Sequence, residues 1–198
     1  APVSLGEQAY KFALSPDGTL VVFWVRRIED GGLGDIITDE LWRVPLDGSA
    51  APVRCNVIGA GQFEGEIREF QISADGQRVV YSSETDSTDP DLYSVRLDAA
   101  PDPLRLTSWF QYHERVGYFA LSGDSSLVVY SAYSAANFRT ELYRVSIDGG
   151  PSTKLNGALV SGGNVSGLNE RPFQITSDDD HVVYRADQEV DETFHLHV

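Results

Sequence analysis

The sequence predicts an all-β chain of four-stranded antiparallel sheets, laid out as successive copies of one repeat. Three observations carry this. Apolar or alternating runs of roughly 5 to 8 residues are separated by turn residues along the whole chain. One hairpin recurs, with its equivalent acids Asp17, Asp75, Asp124 and Asp178 spaced 58, 49 and 54 positions apart. A second landmark agrees with it, because Leu142 and Leu196 are also 54 apart. Repeats near 50 residues with about four strands each are the signature of β-propeller blades, and the chain holds about four blades' worth. A β-sandwich with unrelated hairpins would not repeat the turn and the Leu-aromatic pair in register. No stretch carries a helical period or cap.

The third repeat, 117–155, is the clearest. Tyr118-Phe119-Ala120-Leu121-Ser122 leads into the turn Gly123-Asp124-Ser125-Ser126. Leu127 to Ala132, Glu141 to Ile147 and a closing Asp148-Gly149-Gly150 follow. The first repeat spans 10–55. Its turn Ser15-Pro16-Asp17-Gly18 combines a Pro that presets φ with a Gly that accepts positive φ. Leu20 to Val25 is a β-branched and aromatic strand, and Glu40 to Leu46 is another. The second repeat, 68–106, has Phe70 to Ser73, Arg78 to Tyr81 and Asp91 to Asp98. The fourth, 171–198, reaches Phe194-His195-Leu196-His197-Val198 and holds three strands of four. The third and fourth hairpins lack the Pro and Gly of the first, which predicts looser turns there.

Residues 1–5 repeat the start of Ala51-Pro52-Val53-Arg54-Cys55, so they read as the closing strand of a blade begun elsewhere. That strand could complete the last sheet and hide its edge. The expected arrangements are a fragment of a larger ring, a two-chain ring of eight blades formed by a homodimer, and a closed four-blade monomer. The sequence has no Met, which predicts a processed or trimmed chain.

With 30 acidic against 15 basic residues, the formal charge is -15. A nucleic-acid partner would require a basic face, so that class is excluded. No apolar run approaches the roughly 18 residues of a membrane helix. Cys55 is the single cysteine, so no intrachain disulfide forms.

The pattern apolar-x-Ile/Leu-Ser-Pro-Asp-Gly, Val-Val-Tyr, then Glu-Leu-Tyr-x-Val-x-x-Asp-Gly-Gly resembles the WD-like repeats of TolB-type propellers. Similar blades precede the catalytic domains of prolyl oligopeptidase-type enzymes. The resemblance covers nearly the whole chain and implies the fold. It also implies a periplasmic or secreted location, and leaves the role open because such blades serve many functions.

Connections after the first and third strands are short, whereas those after the second and fourth are long: 26–39, 56–68, 84–90, 107–117, 133–140 and 156–171. Antiparallel order puts the long ones at one end of every sheet, where binding groups are expected. Trp109, Tyr112, His113, Glu114, Arg115 and Arg171 are the candidate binding residues. The aromatic members equally suit packing between blades, and Glu170 beside Arg171 suits a charge pair. His113-Glu114 lacks the second His of a zinc helix, and His181, His195 and His197 offer no third ligand. Calcium is the better cofactor candidate, through Asp187, Glu189 and Asp191, with Asp86, Asp89 and Asp91 at the equivalent place. There, Glu192 stands where a calcium loop needs Gly. No Gly-x-Ser-x-Gly elbow is present, so no catalytic residues are assigned. The expected function is a non-catalytic propeller scaffold that binds a protein or small ligand through the long-loop end. The alternative is the propeller portion of a peptidase-like enzyme.

Overall fold

A computed structural model describes residues 9–30, 35–56, 63–64, 66–84, 89–107, 114–165 and 171–198. The described residues form sixteen strands and no helix. Two compact units divide the chain, Ala1–Leu104 and Arg105–Val198. The expected closing strand at 1–5 lies outside the described residues.

Two sheets make up the first unit. Blade 1 contains β1 (Ala9–Leu14), β2 (Leu20–Asp30), β3 (Asp35–Pro45) and β4 (Val53–Arg54) in that order. A short fifth strand, β5 (Phe63–Glu64), pairs parallel to β3. Blade 2 contains β6 (Glu66–Ile72), β7 (Arg78–Glu84), β8 (Asp91–Arg96) and β9 (Leu104–Arg105), the last of which spans the unit boundary. Directly opposed residues of antiparallel strands share a face. One face of blade 1 therefore sets Val22, Trp24 and Leu41 against Phe70, Val79, Tyr81, Val95 and Leu97 of blade 2. Full burial of each such side chain contributes roughly 1.5–3 kcal/mol, so this apolar seam is what couples the two sheets. Cys55 lies in the same seam, where burial pushes its thiol up to about 11.

The second unit repeats this design. Blade 3 contains β10 (Glu114–Leu121), β11 (Leu127–Ser134), β12 (Arg139–Ser146) and β13 (Thr153–Lys154). Blade 4 contains β14 (Phe173–Ile175), β15 (Val182–Ala186) and β16 (His195–His197). Val129 and Leu142 of blade 3 meet Phe173, Tyr184 and Ala186 of blade 4 in a second seam. A ring pair also recurs between second and third strands. Tyr81 stacks on Tyr93 at 5.3 Å, Tyr130 on Tyr143 at 5.7 Å, and Tyr184 on His197 at 5.3 Å.

Two expectations are corrected. The hairpins without Pro and Gly are not looser. Ser15, Ser73 and Ser122 donate to Asp17, Asp75 and Asp124 at 2.5, 2.5 and 2.6 Å, and Thr176 does the same for Asp178. Each acid then accepts the amide two residues on, from Thr19, Gln77, Ser126 and Asp180. The hydroxyl–carboxylate bridge closes the turn by itself, so the positive-φ position can pass from Gly18 and Gly76 (both 70°) to Ser125 (65°) and Asp179 (60°). The second correction concerns loop length. Much of the stretch expected as loop after β2 is strand, with Arg26 opposite Asp39 and Ile28 opposite Ile37. β-branched residues extend that ladder beyond the predicted hairpin. In blade 3 the connection shrinks to residues 135–138.

Candidate functional site

In each unit the ends of the second strands, and the starts of the first and third, carry the charged side chains. The two units use them differently.

In the first unit the charges neutralise one another. Arg26, at the end of β2, grips Asp39 on β3 with Nε to Oδ1 and Nη2 to Oδ2, both at 2.8 Å. Asp39 is fully buried, and its Oδ2 also accepts the amide of Ile67 from β6 at 2.8 Å. Its backbone carbonyl accepts Nδ2 of Asn56, whose Oδ1 accepts the Leu41 amide at 2.9 Å. Arg26 reaches Glu66 at 3.3 Å and lies 5.2 Å from the ring centres of both Tyr10 and Trp24. These contacts, the Asp39 hydrogen bonds first, raise the guanidinium pKa further above its ordinary value. Lys11 of β1 pairs with Glu69 of β6, and Arg68 pairs with Glu84. Burial is the main reason the Glu84 carboxyl is raised, with Arg68 opposing it. This cluster pins blade 1 to blade 2. Its chemistry is structural, since the cations already have carboxylates.

In the second unit the arginines at these strand ends meet aromatic rings. Arg115 occupies the position that Glu66 holds in blade 2, as the pairings Arg115–Tyr133 and Glu66–Glu84 show. Its Cζ sits 4.8 Å over the Tyr133 ring, and its buried Nε has no hydrogen-bond acceptor among the described residues. Arg171 occupies the position of Arg68, and its Cζ lies 5.9 Å over the Tyr118 ring. Tyr118 in turn meets Phe173 at 5.2 Å. Among the described residues neither arginine has a carboxylate partner. Stacking on a ring holds a guanidinium in place while leaving its N–H groups free to meet an anion.

Of the expected binding residues, the structure places Arg115 and Arg171 at this one seam, with Glu114 opening β10 opposite Ser134. Trp109, Tyr112 and His113 lie outside the described residues, as does Glu170. The three calcium candidates serve separate uses. Asp187 is buried and accepts the amides of Asn164 and, at 3.0 Å, Glu192. Glu189 pairs with His195 at 3.0 Å. The Asp191 carboxylate packs against Gly162, where a Cβ would come within 2.7 Å of it. Glu192 itself takes a positive φ of 60°, so the turn forms without the expected Gly. Among the described residues no group of three His, Cys, Asp or Glu is placed to hold a metal ion. His197 bonds Gln188 at 3.0 Å and stacks on Tyr184. The Arg26–Asp39 pin is not evident from the sequence, where both residues read as part of the long connection 26–39. Their placement 13 apart across one hairpin was the available signal.

Neither a protein-family model nor a curated protein matches the sequence. Solved structures do resemble it. A chain designated TolB from Agrobacterium tumefaciens has 18% identity and a TM-score of 0.50, over 76% of this chain and 50% of that one. A puromycin hydrolase has 19% identity and a TM-score of 0.59, over 89% of this chain and 27% of that one. A puromycin-hydrolyzing peptidase of Mycobacterium tuberculosis has 14% identity and a TM-score of 0.60, again over 89% and 27%. The chain thus spans between about a quarter and a half of these proteins' lengths. The likeness is one of fold: the sheets are β-propeller blades similar to those of TolB and of prolyl-oligopeptidase-type propellers. Among the described residues no helix is long and apolar enough to cross a membrane.

Proposed function

We propose that this chain is a non-catalytic propeller segment that binds an acidic partner or ligand through the strand ends of blades 3 and 4. The single observation behind this reading is the pair Arg115 and Arg171, both laid on tyrosine rings without a carboxylate partner among the described residues. In a chain of charge -15, two such cations next to one seam form a local exception to the overall field. A test is titration of a fluorescein-labelled hexaglutamate peptide, followed by anisotropy. Binding should weaken about tenfold in Arg115→Ala/Arg171→Ala, the loss expected of a charge-assisted hydrogen bond, and should fall with added salt. Equal binding by wild type and double variant would sink the reading.

A second reading, the propeller portion of a peptidase-like enzyme, draws on the likeness to two puromycin-hydrolysing proteins. A nucleophile elbow encoded after Val198 in the parent gene, with hydrolytic activity of that gene product, would favour it. The TolB likeness supports a periplasmic or secreted location, which fractionation of the source cells would check. Light scattering tests the two-chain ring: a monomer mass removes it.

A further inference from the structure

The hairpin between β11 and β12 closes through Phe138 at a φ of 55°. Among the described residues three other non-glycine residues take a positive φ, and the amide of each is held in place. Ser125 donates to the Ser122 carbonyl at 3.1 Å, Asp179 to the Thr176 carbonyl at 3.0 Å, and Glu192 to Asp187 Oδ2 at 3.0 Å. Phe138 has no such bond among the described residues. Its bulk also makes the left-handed region costly, whereas Asn137, of a type that tolerates this region, stands one place too early. Packing does not offset the cost. The Phe138 side chain is 76% exposed and makes no ring contact among the described residues. A single exposed apolar residue is ordinary on a protein surface. One held out in a strained conformation is not, and such outliers gather at binding sites.

The register shows which site this one serves. Ser134, the last residue of β11, is opposite Glu114 of β10 on one side and Arg139 of β12 on the other. The hairpin tip therefore lies at the strand end that carries Arg115 and Arg171. From Arg115 across Tyr133 to Thr140, and on to Phe138, is two strand spacings and two residues, or about 12 Å between backbones. About four extended residues span that distance. Arg139, beside the tip, has no hydrogen-bond or ion-pair partner among the described residues, so it adds a third cation.

We infer that the partner of this arginine site is an acidic peptide segment with an apolar side chain about four residues from the acid that meets Arg115, and that Phe138 is the ring on which this side chain packs. The inference rests on the arginine site proposed above and narrows its partner from any anion to an acidic, amphipathic chain. Complementary charge brings the acids to Arg115, Arg139 and Arg171, and the ring then selects among acidic chains by what lies beside the acids.

The test uses the whole 198-residue chain and two fluorescein-labelled peptides of equal charge. One is hexaglutamate with a leucine at each end, so that chain direction does not matter, and the other has serine at each end. Anisotropy should show the leucine peptide binding about tenfold tighter to wild type. Phe138→Gly and Phe138→Asn both accept the φ at this position, so both should melt no lower than wild type. Both should bind the serine peptide as wild type does, and the leucine peptide no tighter than the serine one. The inference is overturned if wild type binds the two peptides equally or if the variants keep the preference for leucine. It is also overturned if either variant melts lower, because the ring would then belong to the fold. Failure of the arginine site itself has a different signature: neither peptide binds wild type, or Arg115→Ala/Arg171→Ala binds the serine peptide unchanged. Either of those results removes both readings.

Discussion

Replacing Arg26 by Ala tests whether the pin between blades 1 and 2 is structural. In the native chain Asp39 is fully buried and accepts three hydrogen bonds, two from Arg26 and one from the Ile67 amide. The substitution leaves a buried carboxylate with a single donor. Removing one partner of a buried pair costs about 3–5 kcal/mol. Arg26 keeps 23% of its side chain exposed, so water can enter the vacated space and the lower end, about 3 kcal/mol, applies. For a chain of this size, each kcal/mol moves the melting temperature by about 2–4 °C, which gives a fall of about 6–12 °C. The matched control is Arg27→Ala, whose pair with Glu40 is half exposed on the arginine side and is worth about 1 kcal/mol or less. Urea unfolding followed by fluorescence, which reads Trp24 beneath Arg26, supplies the energies. A double-mutant cycle with Asp39→Ala should return a coupling of at least about 1.5 kcal/mol. The reasoning is refuted if Arg26→Ala falls within about 0.5 kcal/mol of Arg27→Ala, or if the coupling is nil.

Three further outcomes follow from the same contacts. Ser125→Gly and Asp179→Gly relieve the same positive φ but should move stability in opposite directions on thermal melting. The first gains about 1 kcal/mol, whereas the second also loses the Asp179 hydrogen bonds to the Gly123 and Asp124 amides and ends up destabilised. Hydrogen bonds from Ser15, Ser122 and Thr176, the largest cause in each case, lower the pKa of Asp17, Asp124 and Asp178 below the ordinary 3.8. A depressed carboxyl stabilises the fold above its unfolded pKa and loses that contribution as pH falls through the folded one, so the cost of Ser122→Ala should be full at pH 7 and fade below about pH 4. Cys55, raised to about 11 by burial, should resist a thiol reagent at pH 8 in the native chain and react at once in denaturant.

The fold was legible because its signals are local and repeated. A Ser or Thr two residues before an Asp, followed by a Val-Val-aromatic strand, marks each hairpin whether or not Pro and Gly are present. Strand ends were less legible. Glu29 to Asp39 reads as a loop from its Gly and Asp content, yet the pairing continues to Asp30 opposite Asp35, because a hairpin's length is set by its partner strand and not by composition. The arginines at 115 and 171 were visible as candidates. What distinguishes them from Arg26 and Arg68 is that no acid faces them among the described residues: the register brings Asp39 opposite Arg26 but Tyr133 opposite Arg115.

The two seams share one sheet order, and they differ in the charged groups at the strand ends, which the proposed function uses. In the first unit a repeat supplies its own charge partners at one end of the strands and its own Val95 and Leu97 at the other, so both ends are closed by the chain itself. In the second unit Arg115 and Arg171 lie over the rings of Tyr133 and Tyr118, with no carboxylate partner among the described residues. Charge reversal at Arg115 gives the direct check of the proposed function: Arg115→Glu should leave blade pairing and the melting temperature close to wild type and abolish hexaglutamate binding, whereas a loss of folding would show that the arginine is structural.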